Sequence, residues 1–420
     1  MRAGSLTLAA GVPSVAGAFL ALAAALALLF ARSWRIDQPY SIDFRVYHAA
    51  GVKVASHQAA ALYDPQEIDD SGQRLALPAH EFKNVPLVAG LFAPLAALPY
   101  LEAKRVFWFV SLGALCAAGW MTGRSIARLS GRTDAVLPAC ATALLLASAP
   151  AHIALRHGQL TPLALLGLAG FLTLSASRRE GAAGGALAAA CVLKLPLLAL
   201  PVRDILRRRW ARLAGFAAVA AGAAALSVAL FGWPLHAAFL GHIAENARTG
   251  ISGHNNQSLE GVFQRLLAAG GLQDWTPRPE VLAVSVARGA VGLALAALLA
   301  TAMWRAGGAE DFRRFALEAV GFLCLGLLAS PVSWDHYFLF AVAGLPWFAW
   351  AASGSDVRLA WAGGLLCGAL LVIPTPTPLL EEGGAPGVLS QLAVSHYAAG
   401  AAALLLFSSA ALARGVTRTT

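Results

Sequence analysis

The sequence predicts an all-α polytopic membrane protein, a bundle of about 10–12 transmembrane helices with amphipathic helices in its outer loops. Three observations lead there. Many separate apolar runs approach the ~20 residues that cross a hydrocarbon core. Only 13% of the 420 residues are charged while 58% are hydrophobic, and the mean hydropathy is +0.65. Lysine and arginine collect in short loops between the runs, as they do on the cytoplasmic side of membrane proteins. No soluble core accounts for that pattern.

The first apolar run, 6–31, has only Arg2 ahead of it and no small-residue cleavage site behind it. It is long for a signal peptide and reads as a retained first helix. The short, proline-rich run 85–100, "VPLVAGLFAPLAALPY", reads as an interfacial or half-spanning element on the outer side. Further spans are expected near 104–123, 134–150, 160–177, 213–233, 281–303, 316–332, 337–353, 359–374 and 391–411. The run 183–202 has basic loops on both flanks and a Lys-Leu-Pro break at its centre. If both loops are cytoplasmic it is a re-entrant hairpin with Lys194 near the turn, a break that Pro196 and Pro201 permit where protein or water surrounds it. The whole chain, 1–420, then forms a single integral membrane domain with two large outer loops, 32–84 and 234–280. These carry patches such as "VYHAAGVKVASHQAAAL", apolar on one face and polar on the other, which suit helices lying along the bilayer surface.

The 31 Lys and Arg against 22 Asp and Glu would point to nucleic acid in a soluble chain. Here they follow topology, and no nucleic-acid partner is expected. The basic loops Gly123 to Arg132, Ser177 to Glu180, Arg203 to Arg212 and Arg305 to Arg314, with the tail holding Arg414 and Arg418, are assigned to the cytoplasm. The expected location is the inner (plasma) membrane, multi-pass. Cys116, Cys140, Cys191, Cys324 and Cys367 all sit in apolar stretches, without a CxxC pair, and read as small buried hydrophobes.

On this topology the polar clusters that are not simply basic share the outer face. They are Asp43 to His48, His152 to Gln159, Gly253 to Ser258 and Ser333 to Tyr337. Each has an ordinary explanation. Asp43 can be an interfacial acid paired with Arg45 or Arg35. His152 and His157 can bond free carbonyls at a helix end. Asn255, Asn256 and Gln257 fit turn chemistry. Trp334 and Tyr337 fit an aromatic belt, although a belt does not require Asp335 and His336 beside them. Their common face argues for the wall of one site, a roofed cavity at the membrane edge suited to a substrate that is itself half lipid.

The ordered set "DFRVYHAAG", "LYDP", "FKNVPLVAGLFAPLAALP", "HGQLTPLALL", "VLKLPLLALP", "NNQSLEGVFQRLL" and "SPVSWDHYF" resembles the family 87 glycosyltransferases. These are polytopic enzymes of the C-type glycosyltransferase fold and include polyprenyl-phosphate-mannose-dependent mannosyltransferases. The resemblance covers about residues 30–345, and the last helices match no motif. It implies a C-type glycosyltransferase-like bundle that takes a sugar, mannose or another hexose, from a polyprenyl-phosphate carrier on the extracytoplasmic side. The acceptor would be a hydroxyl of an envelope glycolipid, glycan or protein. It also implies that the aspartate of the first outer loop, by position Asp43, is the catalytic base.

The chemistry agrees. Displacement at an anomeric carbon needs one carboxylate to take the proton of the attacking hydroxyl. The leaving group is already a phosphate ester, so cations must steady its charge, and Arg45, Lys53, Lys83, Arg156 and Lys194 are available. Tyr47, His48, Asn84, His152, His157, Gln159, Asp335 and His336 complete the candidate substrate-binding set. Asn255, Asn256 and Gln257 suit neutral sugar hydroxyls. No cofactor or metal is expected: there is no P-loop, no GxGxxG after a strand and no DxD run, and the two acids of "LEEGG" at 380–384 are not read as a metal site. Two other classes stay open. A transporter or flippase of a lipid-linked sugar would show paired ionisable groups near the bilayer midplane and an internal repeat; no repeat is evident, Arg288 is the one clear mid-run charge with Glu318 near a helix end, and Lys194 keeps this class open. A non-catalytic envelope-assembly subunit is the other.

Overall fold

The computed structural model describes residues 14–33, 42–63, 82–268, 271–307, 311–376 and 387–415. The beginning of the first expected helix, the end of "LYDP" and the "LEEGG" segment lie outside the described residues. Along the chain, α1 (Val15–Ser33) is followed by α2 (Ile42–Ala55) and by α3 (Pro86–Phe92), which runs on as a 3-10 turn to Ala97. Then come α4 (Tyr100–Leu129), α5 (Val136–Ala147), α6 (Ala149–His157), α7 (Thr161–Ala176), α8 (Glu180–Leu193), α9 (Ala199–Leu206) and α10 (Trp210–Phe231). In the second long loop lie α11 (Trp233–Asn246) and α12 (Leu259–Leu267). The chain closes with α13 (Leu282–Arg305), α14 (Phe312–Ala329), α15 (Leu339–Ala352), α16 (Val357–Val372), α17 (Val388–Val394) and α18 (His396–Arg414). The sheet among the described residues is a single antiparallel pair, β1 (Thr249–Gly250) with β2 (Arg278–Pro279). The protein is an all-α polytopic membrane protein.

Among the described residues five helices, α1, α4, α10, α13 and α18, are long and apolar enough to cross a membrane. The other expected spans are shorter or broken. Residues 134–157 form one apolar stretch bent by 62° between α5 and α6, where Pro150 near the start of α6 has no N–H to continue the ladder. Likewise α3 with its 3-10 extension is a short apolar element, opened by Pro86 in its first turn. It fits the half-spanning expectation. Most side chains of α10 and α13 are exposed although apolar, as expected of helices that face lipid.

Residues 180–206 fold back on themselves. Arg212 at the start of α10 bonds Glu180, the first residue of α8, at 2.6 Å and Asp204, near the end of α9, at 2.8 Å. The chain therefore enters along α8, turns at Lys194 in extended backbone, and returns to the end where it began. Arg203 on the return arm lies 2.9 Å from Glu318 of α14, both fully buried, and Arg207 joins the same carboxylate. Arg203 and Arg212 also stack over the Phe315 ring at 4.4 and 4.6 Å. A buried charge persists in such a place only when paired, and here the pairing anchors the hairpin to α14.

Arg207 also donates to Gly307 O over 3.1 Å. Three basic loops, 177–180, 203–212 and 305–314, thus meet at one end of the bundle. The 16 residues of α7 separate that end from Gln159 by about 24 Å at 1.5 Å per residue. Two apolar cores fill the interior. The larger runs through α4, α7, α14, α15 and α18. The smaller docks α2 and α3 through aromatic rings, with Phe44 5.4 Å from Phe107 and Tyr47 5.1 Å from Phe92, centroid to centroid.

Candidate active site

At the end of α7 away from the basic loops, α2 and the α6–α7 junction come together. Asp43 stands in the first turn of α2, and Tyr47, one turn on, shares its face. Gly158 ends α6 in the left-handed region at φ 67°. A side chain there would strain the backbone, and its Cβ would lie 2.5 Å from Phe44 Cβ. Glycine at 158 therefore lets the α6–α7 corner close against α2. That closure brings His157 Nδ1 to 4.0 Å from Asp43 Oδ2, with 33% and 34% of the two side chains exposed. The carboxylate has a facing cation-capable ring, yet stays open to a ligand.

Behind this pair lies a buried polar layer. Gln159 Oε1 accepts from Tyr47 Oη at 3.3 Å and from Lys194 Nζ at 3.0 Å. The Lys194 ammonium also sits 4.3 Å from the centroid of the Tyr337 ring, a favourable cation–π placement. The Asn84 side chain acts on the Tyr47 phenol, and Asp43 acts electrostatically on Tyr47, Lys194, His336 and Tyr337. Burial first, and then the Asp43 charge, push the Tyr47 phenol well above its ordinary value, so it serves as a donor. Burial also holds the His336 imidazole below its ordinary value, with Asp335 opposing. Among the described residues, His336 Nε2 has no hydrogen-bond partner although it is buried.

Asp335 is 3.4 Å from His336 Nδ1 and accepts from the His336 backbone N–H at 2.7 Å. Its own N–H donates to Asn255 O at 2.9 Å. The loop 253–258 is stitched to 333–335 by this bond, by Gln257 N–H to Ser333 O at 2.7 Å, and by a bridge between Asn256 and Trp334. The expected outer clusters thus converge, each from a different part of the chain.

Some expected residues stand elsewhere. Asn256 and Gln257 are fully buried. Asn256 donates to Ile251 O at 3.0 Å and accepts from Ser258 and Ser333, while Gln257 donates to His254 O and Val394 O and accepts from Ala398 N–H. Their expected place among sugar ligands becomes one in the brace of the loop, because their polar atoms are engaged by the fold. His152 is buried and its Nε2 bonds Leu146 O at 2.8 Å, closing the α5–α6 kink. Here the carbonyl-capping alternative describes it. His48 packs against Phe44 and Tyr100. Arg45 is half-buried, and Lys83 and Arg156 are exposed; Lys53 is buried and its ammonium bonds Ala61 O. Arg288 bonds Glu280 at 2.8 Å, and Glu318 holds Arg203 and Arg207. Tyr337, the end of the Ser333 to Tyr337 cluster but not one of the candidate substrate-binding residues, joins the site through its ring. The described residues contain no group of three or more His, Cys, Asp or Glu placed to hold a metal ion.

The profile of glycosyltransferase family 87 matches residues 82–331. That interval contains His157, Gln159 and Lys194, whereas Asp335 and His336 lie just beyond its end and Asp43 lies well before its start. The chain is also similar to a polyprenol-phosphate-mannose-dependent alpha-(1-2)-phosphatidylinositol pentamannoside mannosyltransferase of Mycolicibacterium smegmatis, with 28% identity over 308 residues, 73% of this chain and 68% of the relative. No solved structure matches.

Proposed function

This chain belongs to glycosyltransferase family 87, and on that premise we propose that it moves a hexose, mannose in our reading, from a polyprenyl-phosphate carrier to a hydroxyl of an envelope acceptor. The similarity to a polyprenol-phosphate-mannose-dependent enzyme supports the donor class. In this reading transfer occurs on the extracytoplasmic side of the plasma membrane, which the location of the polar cluster and the basic loops at opposite ends of α7 supports.

One observation carries the mechanism: a half-open carboxylate, Asp43, faces His157 at 4.0 Å beside the buried ammonium of Lys194. In our reading Asp43 accepts the proton of the acceptor hydroxyl as its oxygen bonds the anomeric carbon. The bond from that carbon to the phosphate oxygen breaks, and polyprenyl phosphate leaves with the electron pair. Lys194, His157 and the exposed Arg156 are assigned to the phosphate, whose charge a fixed ammonium in a water-poor site stabilises more strongly than water would. His336 Nε2, buried without a partner, is assigned a sugar hydroxyl, whose O–H can donate to it while Nδ1 faces Asp335. No step requires a metal.

The test is single-turnover transfer from synthetic polyprenyl-phosphate hexoses, mannose first, to envelope extract, with released polyprenyl phosphate measured. Folded protein that releases none with any hexose overturns this reading.

A further inference from the structure

We infer that Trp275 is a stacking platform for the acceptor glycan, so that the loop 271–277 selects the acceptor. This rests on the transfer reading above and extends it. The other exposed tryptophans among the described residues, Trp120, Trp210, Trp233, Trp304 and Trp361, lie on helices, as interfacial anchors commonly do. Trp275 instead stands in the second outer loop, 45% exposed. Its ring is held in place. The indole N–H donates to Asn255 Oδ1 at 2.8 Å, and the His254 ring meets it edge-on with centroids 5.9 Å apart. Gly253 leaves the room it occupies, since a Cβ there would lie 2.6 Å from Trp275 Nε1. His254 is itself tied down, Nδ1 donating to Leu272 O at 3.0 Å.

The same bonds lead to the reaction centre. Asn255, which holds the indole, accepts from the Asp335 backbone N–H at 2.9 Å, and Asp335 lies 3.4 Å from His336 Nδ1. His336 ends the line with its unpartnered Nε2. Lys194, the cation assigned to the phosphate, sits 4.3 Å from the ring centroid of Tyr337, the residue after His336. The Trp275 end offers a flat ring flanked by Asn255 and His254, with the adjacent Asp274 carboxylate engaged by Arg278. An aromatic face carries negative quadrupole charge and suits the weakly positive C–H face of an uncharged hexose, while Asn255 and Asp335 suit hydroxyls. A donor phosphate at one end and a hydroxyl-bearing ring at the other is the order that transfer requires.

The experiment uses the full chain in nanodiscs, a synthetic polyprenyl-phosphate mannose as donor and octyl α-mannoside as acceptor probe. Trp275→Ala is expected to raise the KM for the probe about tenfold or more, as loss of a tryptophan anchor does, with donor KM within about twofold. Trp275→Tyr, which keeps a ring, falls between parent and alanine. Gly253→Ala, which displaces the indole without deleting it, raises the probe KM in the same direction. A probe KM within about twofold of the parent in Trp275→Ala, or a rise in donor KM instead, overturns the platform. Binding of the probe is followed separately by saturation-transfer NMR. A parent that binds it without transferring, with binding lost in Trp275→Ala, keeps the platform and removes mannose transfer to a mannoside from the reading above. A parent that neither binds nor transfers removes both.

Discussion

The Asp43 carboxylate faces the His157 imidazole across 4.0 Å, with about a third of each side chain open. That separation is longer than a hydrogen bond between the two groups. The carboxylate therefore keeps acceptor capacity for an incoming hydroxyl, while the ring is close enough to orient it or to help hold a departing phosphate.

If Asp43 is the base, Asp43→Asn preserves its size and removes the basic site. Transfer is expected to fall about 10²–10⁴-fold, the usual cost of losing a general base, with donor binding retained. Single-turnover transfer alongside a donor-binding assay checks this. Transfer within about threefold of the parent would remove Asp43 from the mechanism.

Lys194→Met keeps the length of the side chain and removes the ammonium that bonds Gln159 Oε1 at 3.0 Å. Donor affinity is expected to weaken about tenfold or more, since a charge-assisted contact to phosphate is lost, while the protein still folds. Unchanged donor affinity would leave Lys194 as a packing residue under Tyr337.

Glu318→Gln tests the anchor of the hairpin. It strips the charge facing Arg203 and Arg207 inside the bundle, and breaking a buried pair on one side costs about 3–5 kcal/mol. A clear fall in the midpoint of thermal unfolding in detergent is expected. An unchanged midpoint would mean that the hairpin is held by packing alone.

Single cysteines at Ser177 and Thr276, both exposed, on a cysteine-free background report sidedness. An impermeant maleimide applied to whole cells is expected to label position 276 and spare 177, as the loop charges sort them. The reverse pattern would place the candidate site in the cytoplasm.

Hydropathy, loop charge and proline spacing made the all-α membrane fold, the short proline-led elements and the break at Lys194 legible in the sequence, because these are local properties of a chain in a bilayer. The same is true of the four polar clusters and their common end. What the sequence left open was which of those polar atoms the fold itself consumes. Asn256, Gln257 and Asn255 are neighbours of similar chemistry. Yet the first two brace the 253–258 loop, while Asn255 holds the Trp275 indole. Tyr337 became part of the site only because α8 turns at Lys194 and sets the ammonium over its ring. Local composition decides what a segment buries or exposes. A buried polar atom must find a partner wherever the chain brings one, and whether an atom is left for a substrate is therefore decided by residues far away in sequence, through the tertiary structure.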